Sequence, residues 1–169
     1  MQSSLKIILI LLVLFSTITE PNVSQTKKLP EVEVINVEKL KKIIDENRDR
    51  AILINIWATW CIPCREEFPD LVKIANDYKD EVRVIGISLD EPEILDTQVI
   101  PFLKSHNAEF ENYILKTVEP EDFINLLSKE WSGAVPATFI YDKKGYQKEI
   151  LIGKQSYNSF EKAVKKVID

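Results

Sequence analysis

The fold is decided by residues 51–64, which read Ala51-Ile-Leu-Ile-Asn-Ile-Trp57-Ala-Thr-Trp60-Cys61-Ile62-Pro63-Cys64. The first seven residues are a mostly apolar run of strand length, which is typical of a strand buried on both faces of a sheet. An amphipathic helix is predicted to follow, from about residue 63 to residue 78. A Cys-x-x-Cys pair therefore lies where a buried strand ends and a helix begins.

On both sides of this stretch, strand-like and helix-like patterns alternate. Extended segments are predicted near residues 32–37, 82–89, 110–115, 138–141 and 146–152, and helices near residues 38–47, 93–107, 120–130 and 156–168. Residues 142–145 end in Gly145 and form the turn of a predicted β-hairpin. Strands separated by helices predict an α/β layer fold.

The first 30 residues differ from the rest of the chain. Lys6 precedes an uninterrupted apolar run over residues 7–15, which has the length of a signal-peptide hydrophobic region and is short of the roughly 20 residues that span a bilayer. We predict a signal peptide or N-terminal membrane anchor over residues 1–19, a polar linker over 20–30 and the folded domain over 31–169. A buried N-terminal helix is the alternative.

Composition excludes several classes of protein. A length of 169 residues suits one domain. The 22 Lys and Arg residues against 27 Asp and Glu residues leave a net charge of −5 with no basic block, so no nucleic-acid partner is expected. Two cysteines and one histidine are too few for a disulfide-scaffold miniprotein or a tetrahedral zinc site built from Cys and His.

The cysteine pair carries the predicted chemistry. The free N–H groups and the dipole of a helix N-terminus favour a thiolate, so Cys61 is the predicted nucleophile. Cys64 lies one turn further along the helix, where it can resolve a mixed disulfide on Cys61. A purely structural disulfide is the alternative, but the loop it would close is very short.

Two adjacent acids follow the pair and differ in their positions around the helix. At about 100° per residue, Glu67 falls at the edge of the apolar face, whereas Glu66 falls on the opposite face and is predicted to be solvated. Partial burial would raise the pKa of Glu67 and let it exchange protons with Cys64. The alternative is a boundary acid paired with a surface base such as Arg65 or Lys73.

These residues resemble a known family. The run from Trp60 to Cys64, followed by Glu67-Phe68-Pro69, is similar to the active site of extracytoplasmic thioredoxin-like thiol-disulfide oxidoreductases of the TlpA/ResA type. Residues 133–145 resemble that family's cis-proline loop. The resemblance implies a thioredoxin-like fold, with a central mixed β-sheet flanked by helices. Between Leu89 and Trp131 the chain is longer than a minimal thioredoxin, which predicts a helical insertion before the cis-Pro loop.

The same resemblance implies residue roles. Cys61 and Cys64 form the redox-active disulfide, and Glu67 handles the proton. Substrate is expected to bind at Trp60, Ile62, Pro63, Val135 and Pro136. One departure from cytosolic thioredoxins is Asn55, which replaces the buried Asp six residues before the first motif Cys. An amide cannot accept a proton there, which shifts that role to Glu67.

The implied function is reduction of disulfides in exported proteins, including proteins that await haem attachment, outside the cytoplasm. The implied partners are these substrates and a membrane thiol carrier as electron donor; we expect no metal, no cofactor and a monomer. One alternative is a thioredoxin-fold peroxidase, although those enzymes share a Thr three residues before the reactive Cys and Ala58 occupies that position here. Another is a copper metallochaperone, although the two cysteines are closer than that family's pattern and His106 has no supporting context.

Three further features have structural interpretations. His106, near the end of a predicted helix, is expected to be solvated. Trp60 and Trp131 are each expected either to line the disulfide or to pack in the core. Asp90 is interpreted as part of an acidic helix start.

Overall fold

The computed structural model describes residues 31–46 and 49–168. Its strands are β1 (Glu33–Ile35), β2 (Ala51–Trp57), β3 (Val82–Ser88), β4 (Glu111–Leu115), β5 (Ala137–Tyr141) and β6 (Gln147–Ile152). Its α-helices are α1 (Val37–Glu46), α2 (Ile62–Asp77), α3 (Ile100–Ser105), α4 (Pro120–Leu127) and α5 (Tyr157–Ile168). The predicted leader (1–19) and linker (20–30) lie outside the described residues.

The six strands form one mixed sheet in the order β1-β4-β3-β2-β5-β6. The pairs β1–β4, β4–β3 and β3–β2 are parallel, whereas β5 runs antiparallel to both β2 and β6. The predicted α/β fold with a central mixed sheet is confirmed. β2 lies inside the sheet, which explains why its sequence is apolar at nearly every position.

Alternate residues of β2 face two different hydrophobic cores. Leu53 and Trp57 belong to the core that also contains Phe68 of α2 and Phe160 of α5. Ile52, Ile54 and Ile56 belong to the core that contains Leu40 of α1 and Phe123 of α4. Both cysteines lie in the first core, so the face of β2 that carries Asn55 is the one turned toward the cysteine pair.

The segment between β3 and β5 contains the predicted helical insertion, but its first helix is not continuous. The sequence pattern predicts one helix over residues 93–107, but the structure has a 3₁₀ turn (Pro92–Ile94), a π-helix (Leu95–Val99) and α3 there. Pro101 lies in the first turn of α3 and has no N–H to donate to the carbonyl four residues earlier, so the α-helical hydrogen-bond pattern is interrupted at this point.

The extended piece inside the insertion is a full strand of the sheet. β4 lies between β1 and β3, where Asn112 is paired with Gly86. A Cβ atom on Gly86 would lie 2.3 Å from Oδ1 of Asn112, so only glycine permits this close packing. The insertion therefore widens the sheet as well as adding helices.

Among residues 31–46 and 49–168, no helix has the length and apolar character needed to span a bilayer.

Candidate active site

The cysteine pair begins α2 directly after the turn that follows β2. Cys61 is the N-cap residue, and its extended backbone (φ −84°, ψ 105°) lets Sγ accept a hydrogen bond from the backbone N–H of Cys64. The Sγ to N distance is 3.3 Å. Pro63 lies in the first turn, where its missing N–H removes no helical hydrogen bond. This places the sulfur of Cys61 at the positive end of the helix dipole.

The two cysteines are joined by a disulfide bond, with their Cα atoms 5.3 Å apart. Cys61 is 5% exposed and Cys64 is fully buried. Cys61 is therefore the half of the disulfide that an incoming thiolate can reach. The predicted arrangement of an accessible first cysteine and a shielded second one is present.

Apolar side chains surround the accessible half of the disulfide. Trp60 and Ile62 project into solvent, with 62% and 66% of their surface exposed, and Pro63 is exposed as well. The peptide bond between Val135 and Pro136 is cis. Val135 packs against the core that contains both cysteines, and Pro136 immediately precedes β5, which pairs with β2. The structure thus brings the five predicted substrate-binding residues to the end of β2 that carries the cysteines.

Glu67 is buried one helical turn after Cys64, with 1% of its surface exposed. One carboxylate oxygen accepts a hydrogen bond from Nδ2 of Asn55 at 2.8 Å, and the other accepts from the backbone N–H of Gln155 at 2.7 Å. Burial raises the pKa of Glu67 to about 7, against the lowering effect of these two hydrogen bonds. The carboxyl group therefore changes charge near neutral pH.

The neighbouring acid has a different environment, as its position around the helix predicts. Glu66 is exposed and forms an ion pair with Lys154 at 2.7 Å. The alternative pairing of Glu67 with Arg65 or Lys73 is wrong, because the partners of Glu67 are an amide and a backbone N–H. Lys73 pairs instead with Asp77 on its own helix.

Comparison with known proteins agrees with this geometry. The sequence profile of the AhpC/TSA family matches residues 26–149. The chain belongs to the AhpC/TSA family. Among its relatives, the thioredoxin-like protein YneN of Bacillus subtilis is 27% identical over 84% of this chain and 79% of its own length. The thiol-disulfide oxidoreductase ResA of Bacillus cereus is 28% identical over 83% of this chain and 77% of its own length.

Solved structures show the same fold. A thiol:disulfide interchange protein of the thioredoxin family from Chlorobium tepidum superimposes with a TM-score of 0.61 at 25% identity, covering 72% of this chain and 82% of that protein. This AhpC/TSA member is thus a ResA-like protein with a thioredoxin fold, and the resemblance seen in its sequence is confirmed.

Asp90 is a residue of this AhpC/TSA site that the sequence interpretation missed. The sequence pattern indicates an acidic helix start at this position, but Asp90 is 2% exposed and lies beside the turn that precedes Cys61. Its carboxylate accepts hydrogen bonds from the backbone N–H of Thr59 at 2.9 Å, the Thr59 hydroxyl at 2.7 Å and the Ser88 hydroxyl at 2.7 Å. The signal was its position just after a buried strand that is parallel to β2, because the carboxyl ends of such strands meet at one edge of the sheet.

We expect Asp90→Ala to lower the free energy of unfolding by about 2–3 kcal/mol, because it leaves the N–H of Thr59 without its charged acceptor. Asp90→Asn should cost less, since an amide can present its oxygen to the Thr59 N–H and its NH₂ group to the Thr59 hydroxyl. Urea unfolding of the oxidised proteins measures both. Equal losses from the two variants would contradict this account of the turn.

The remaining two predicted candidates, Trp131 and His106, differ in burial. Trp131 packs in the core on the opposite sheet face, against Phe123 and Phe139, so it does not line the disulfide. His106 is half-buried and therefore less exposed than predicted, and its ring centroid lies 4.3 Å from that of Phe102. Its Nδ1 also lies 2.9 Å from the Phe102 carbonyl oxygen, so His106 is held both by the end of α3 and by the ring of Phe102.

Proposed function

We propose that this thiol-disulfide oxidoreductase reduces disulfide bonds in exported proteins. The observation that carries the proposal is the environment of Cys61. Within the described part of the chain, its sulfur accepts one hydrogen bond, from the Cys64 N–H, and the intervening residues Ile62 and Pro63 add neither a charge nor a side-chain donor. Weak stabilisation of the thiolate favours the disulfide form of the couple, which makes the dithiol form a reductant.

The proposed cycle begins with the reduced pair. The Cys61 thiolate attacks one sulfur of a substrate disulfide, which forms a mixed disulfide and releases the other substrate sulfur as a thiolate that takes up a proton. Cys64 gives its proton to Glu67 and then attacks Sγ of Cys61. The second substrate sulfur leaves, and the Cys61–Cys64 disulfide forms. Two electrons pass from the enzyme to the substrate.

The exposed surface around Cys61 suits a protein substrate. Trp60, Ile62 and Pro63 offer apolar contacts beside the disulfide, and the backbone of Val135, next to the cis peptide bond with Pro136, is the segment proposed to dock the substrate. Here Trp60 and Ile62 contribute affinity, while the two cysteines and Glu67 carry out the exchange.

The proposed location is outside the cytoplasm, reached through residues 1–19 as a signal peptide or membrane anchor. A reducing couple in an oxidising compartment becomes oxidised, so it needs electrons from another protein. We propose a membrane thiol carrier as the donor. Proteins that await haem attachment, whose cysteines must be reduced first, are the substrates proposed within this class.

The test is the reduction potential of the Cys61–Cys64 couple, measured by equilibration with glutathione or dithiothreitol buffers. We expect a value at or below about −200 mV, in the range of glutaredoxins and thioredoxin. A value near about −120 mV, that of the oxidant DsbA, would contradict the reductive direction.

Assays of the reduced protein distinguish disulfide reduction from the main alternative function, peroxide reduction. We expect it to reduce a disulfide-bonded protein such as insulin. Ala58 is buried and supplies no hydroxyl beside the cysteine pair, so rapid consumption of peroxide is not expected. Peroxide turnover without disulfide reduction would overturn the proposed function.

A further inference from the structure

Asn55 occupies the centre of a buried polar cluster between β2, β5 and α2. It is fully buried and lies opposite Thr138 in the β2–β5 register. Its Nδ2 group donates one hydrogen bond to Glu67 at 2.8 Å and one to the Thr138 hydroxyl at 3.0 Å. Among the described residues, no group contacts its Oδ1 atom as a hydrogen-bond partner, although that atom is buried.

This set of hydrogen bonds suits the ionised form of Glu67 better than the neutral form. Each carboxylate oxygen faces an N–H donor, one from Asn55 and one from the backbone of Gln155. A neutral carboxyl group carries an O–H that needs an acceptor. The Gln155 N–H cannot change its role, whereas a side-chain amide can exchange its donor for its acceptor by rotating about one bond. Of these two contacts, Asn55 is therefore the one able to serve both charge states.

We propose that Asn55 is a positioning residue that follows the proton on Glu67 by rotating its amide. When Glu67 is ionised, Nδ2 donates to it, as described. When Glu67 takes a proton from Cys64, Oδ1 turns toward the carboxyl group and accepts its O–H. The Thr138 hydroxyl then donates to Oδ1 instead of accepting from Nδ2. The proton moves between Cys64 and Glu67 only, and Asn55 neither gains nor loses one.

Two charged side chains, Asp70 and Lys154, lie near Glu67, but in the described part of the chain neither forms a hydrogen bond with it that could respond to its protonation. Asp70 on the same helix opposes ionisation of Glu67, and Lys154, from the loop before α5, favours it. Lys154 is bound to the exposed Glu66, while a carboxylate oxygen of Asp70 accepts a hydrogen bond from the backbone N–H of Tyr157. Neither side chain has a hydrogen bond to Glu67 among the contacts that the structure describes. The side-chain contact that distinguishes the two charge states is the amide.

The inference rests on the proposed proton-handling role of Glu67, and its test does not require enzyme turnover. In the oxidised full-length chain, NMR follows the ¹³C shift of the Glu67 carboxyl and the ¹⁵N and ¹H shifts of the Asn55 amide against pH. We expect both side chains to titrate with one midpoint near pH 7. If the chemical shifts of the Asn55 amide do not change at the pH where Glu67 titrates, the proposal is overturned.

Variants provide the second measurement. Asn55→Ala removes a donor to the ionised form, so the Glu67 midpoint should rise by about one pH unit. Asn55→Asp introduces a second acid next to Glu67, so the single titration step should be replaced by two coupled titration steps. Thr138→Val is the matched control, because it leaves the Asn55–Glu67 hydrogen bond in place and should shift the midpoint less than Asn55→Ala. A larger shift from the control would contradict the assignment.

Kinetics separate this inference from the proposed function. Asn55→Ala should move the pH profile of disulfide reduction in the wild-type background and leave it unmoved in the Glu67→Gln background, because Asn55 acts through Glu67. A shift of the profile in both backgrounds would overturn the positioning role. If the NMR titration is as predicted but the protein reduces no disulfide, the positioning role of Asn55 is supported and the proposed function is overturned.

Discussion

Cys61→Ser is expected to abolish disulfide reduction, whereas Cys64→Ser is expected to accumulate a covalent complex with the substrate. Cys61 is the accessible sulfur and lies at the N-terminus of α2, so its loss removes the attacking thiolate. Cys64 is buried one turn further along the helix, so its loss leaves the first attack intact and removes the thiol that releases the product. The two variants should therefore fail at different steps.

Two measurements distinguish these failures. Non-reducing electrophoresis with a disulfide-bonded substrate should show a mixed disulfide for Cys64→Ser and none for Cys61→Ser. Alkylation of the reduced wild-type protein with limiting reagent, followed by peptide mapping, should label Cys61 first. Preferential labelling of Cys64, or a stable complex formed by Cys61→Ser, would reverse the assignment of the two thiols.

Glu67→Gln is expected to change both the pH dependence of stability and the rate of exchange. The pKa of Glu67 is raised from 4.5 to about 7 in the folded protein, chiefly by burial. The folded state therefore binds this proton more tightly than the unfolded state does. The contribution of Glu67 to the free energy of unfolding is fully present below about pH 4.5 and is lost as the pH rises through about 7.

The size of this effect follows from the pKa difference. One pKa unit corresponds to about 1.4 kcal/mol, so the wild-type protein should lose about 3 kcal/mol between pH 4.5 and pH 8 on account of Glu67. Glu67→Gln cannot ionise and should lack that loss. Urea unfolding of both oxidised proteins across this pH range measures the difference between the two curves.

The same substitution removes the proposed proton acceptor for Cys64. Loss of a positioned acid or base commonly slows a reaction by on the order of 10²-fold, and we expect a decrease of that size in disulfide reduction near neutral pH. The thiol titration of the reduced protein should also shift, because the charge of Glu67 no longer acts on Cys64.

Glu66→Gln is the matched control for Glu67→Gln. It changes the adjacent residue in the same way but breaks only an exposed ion pair with Lys154, which should alter stability by less than about 1 kcal/mol. Its exchange rate and thiol titration should equal those of the wild type. If both substitutions change the exchange rate and the thiol titration by similar amounts, the buried position of Glu67 does not explain its effect on the cysteine pair.

The sequence predicted the parts of the site that depend on local order along the chain. The strand over residues 51–57 was predicted with the bounds that the structure has, and the helix after it was predicted within one residue at each end. The positions of Glu66 and Glu67 around α2 followed from helical geometry alone, and their burial agrees with it. These features depend on contacts only a few residues apart.

The bounds of the insertion were less predictable. The helical periodicity of residues 93–107 did not show how Pro101 divides the segment, because a proline can be tolerated, can kink a helix or can change its register. The helix predicted over residues 120–130 ends at Leu127. The short extended piece was recognised, but its place between β1 and β3 depends on strand pairing over long separations.

By itself, the sequence determined the α/β fold, the cysteine pair at a helix start, and which of two adjacent acids is buried. Only the tertiary structure decided which groups donate hydrogen bonds to that acid, namely Asn55 from β2 and the Gln155 N–H from the loop before α5, and that Thr138 from β5 accepts a hydrogen bond from Asn55. It also decided that Asp90 holds the turn before Cys61. Hydrogen bonds of this kind join residues far apart in the chain, and periodicity reports only which face a residue occupies, not what lies opposite that face.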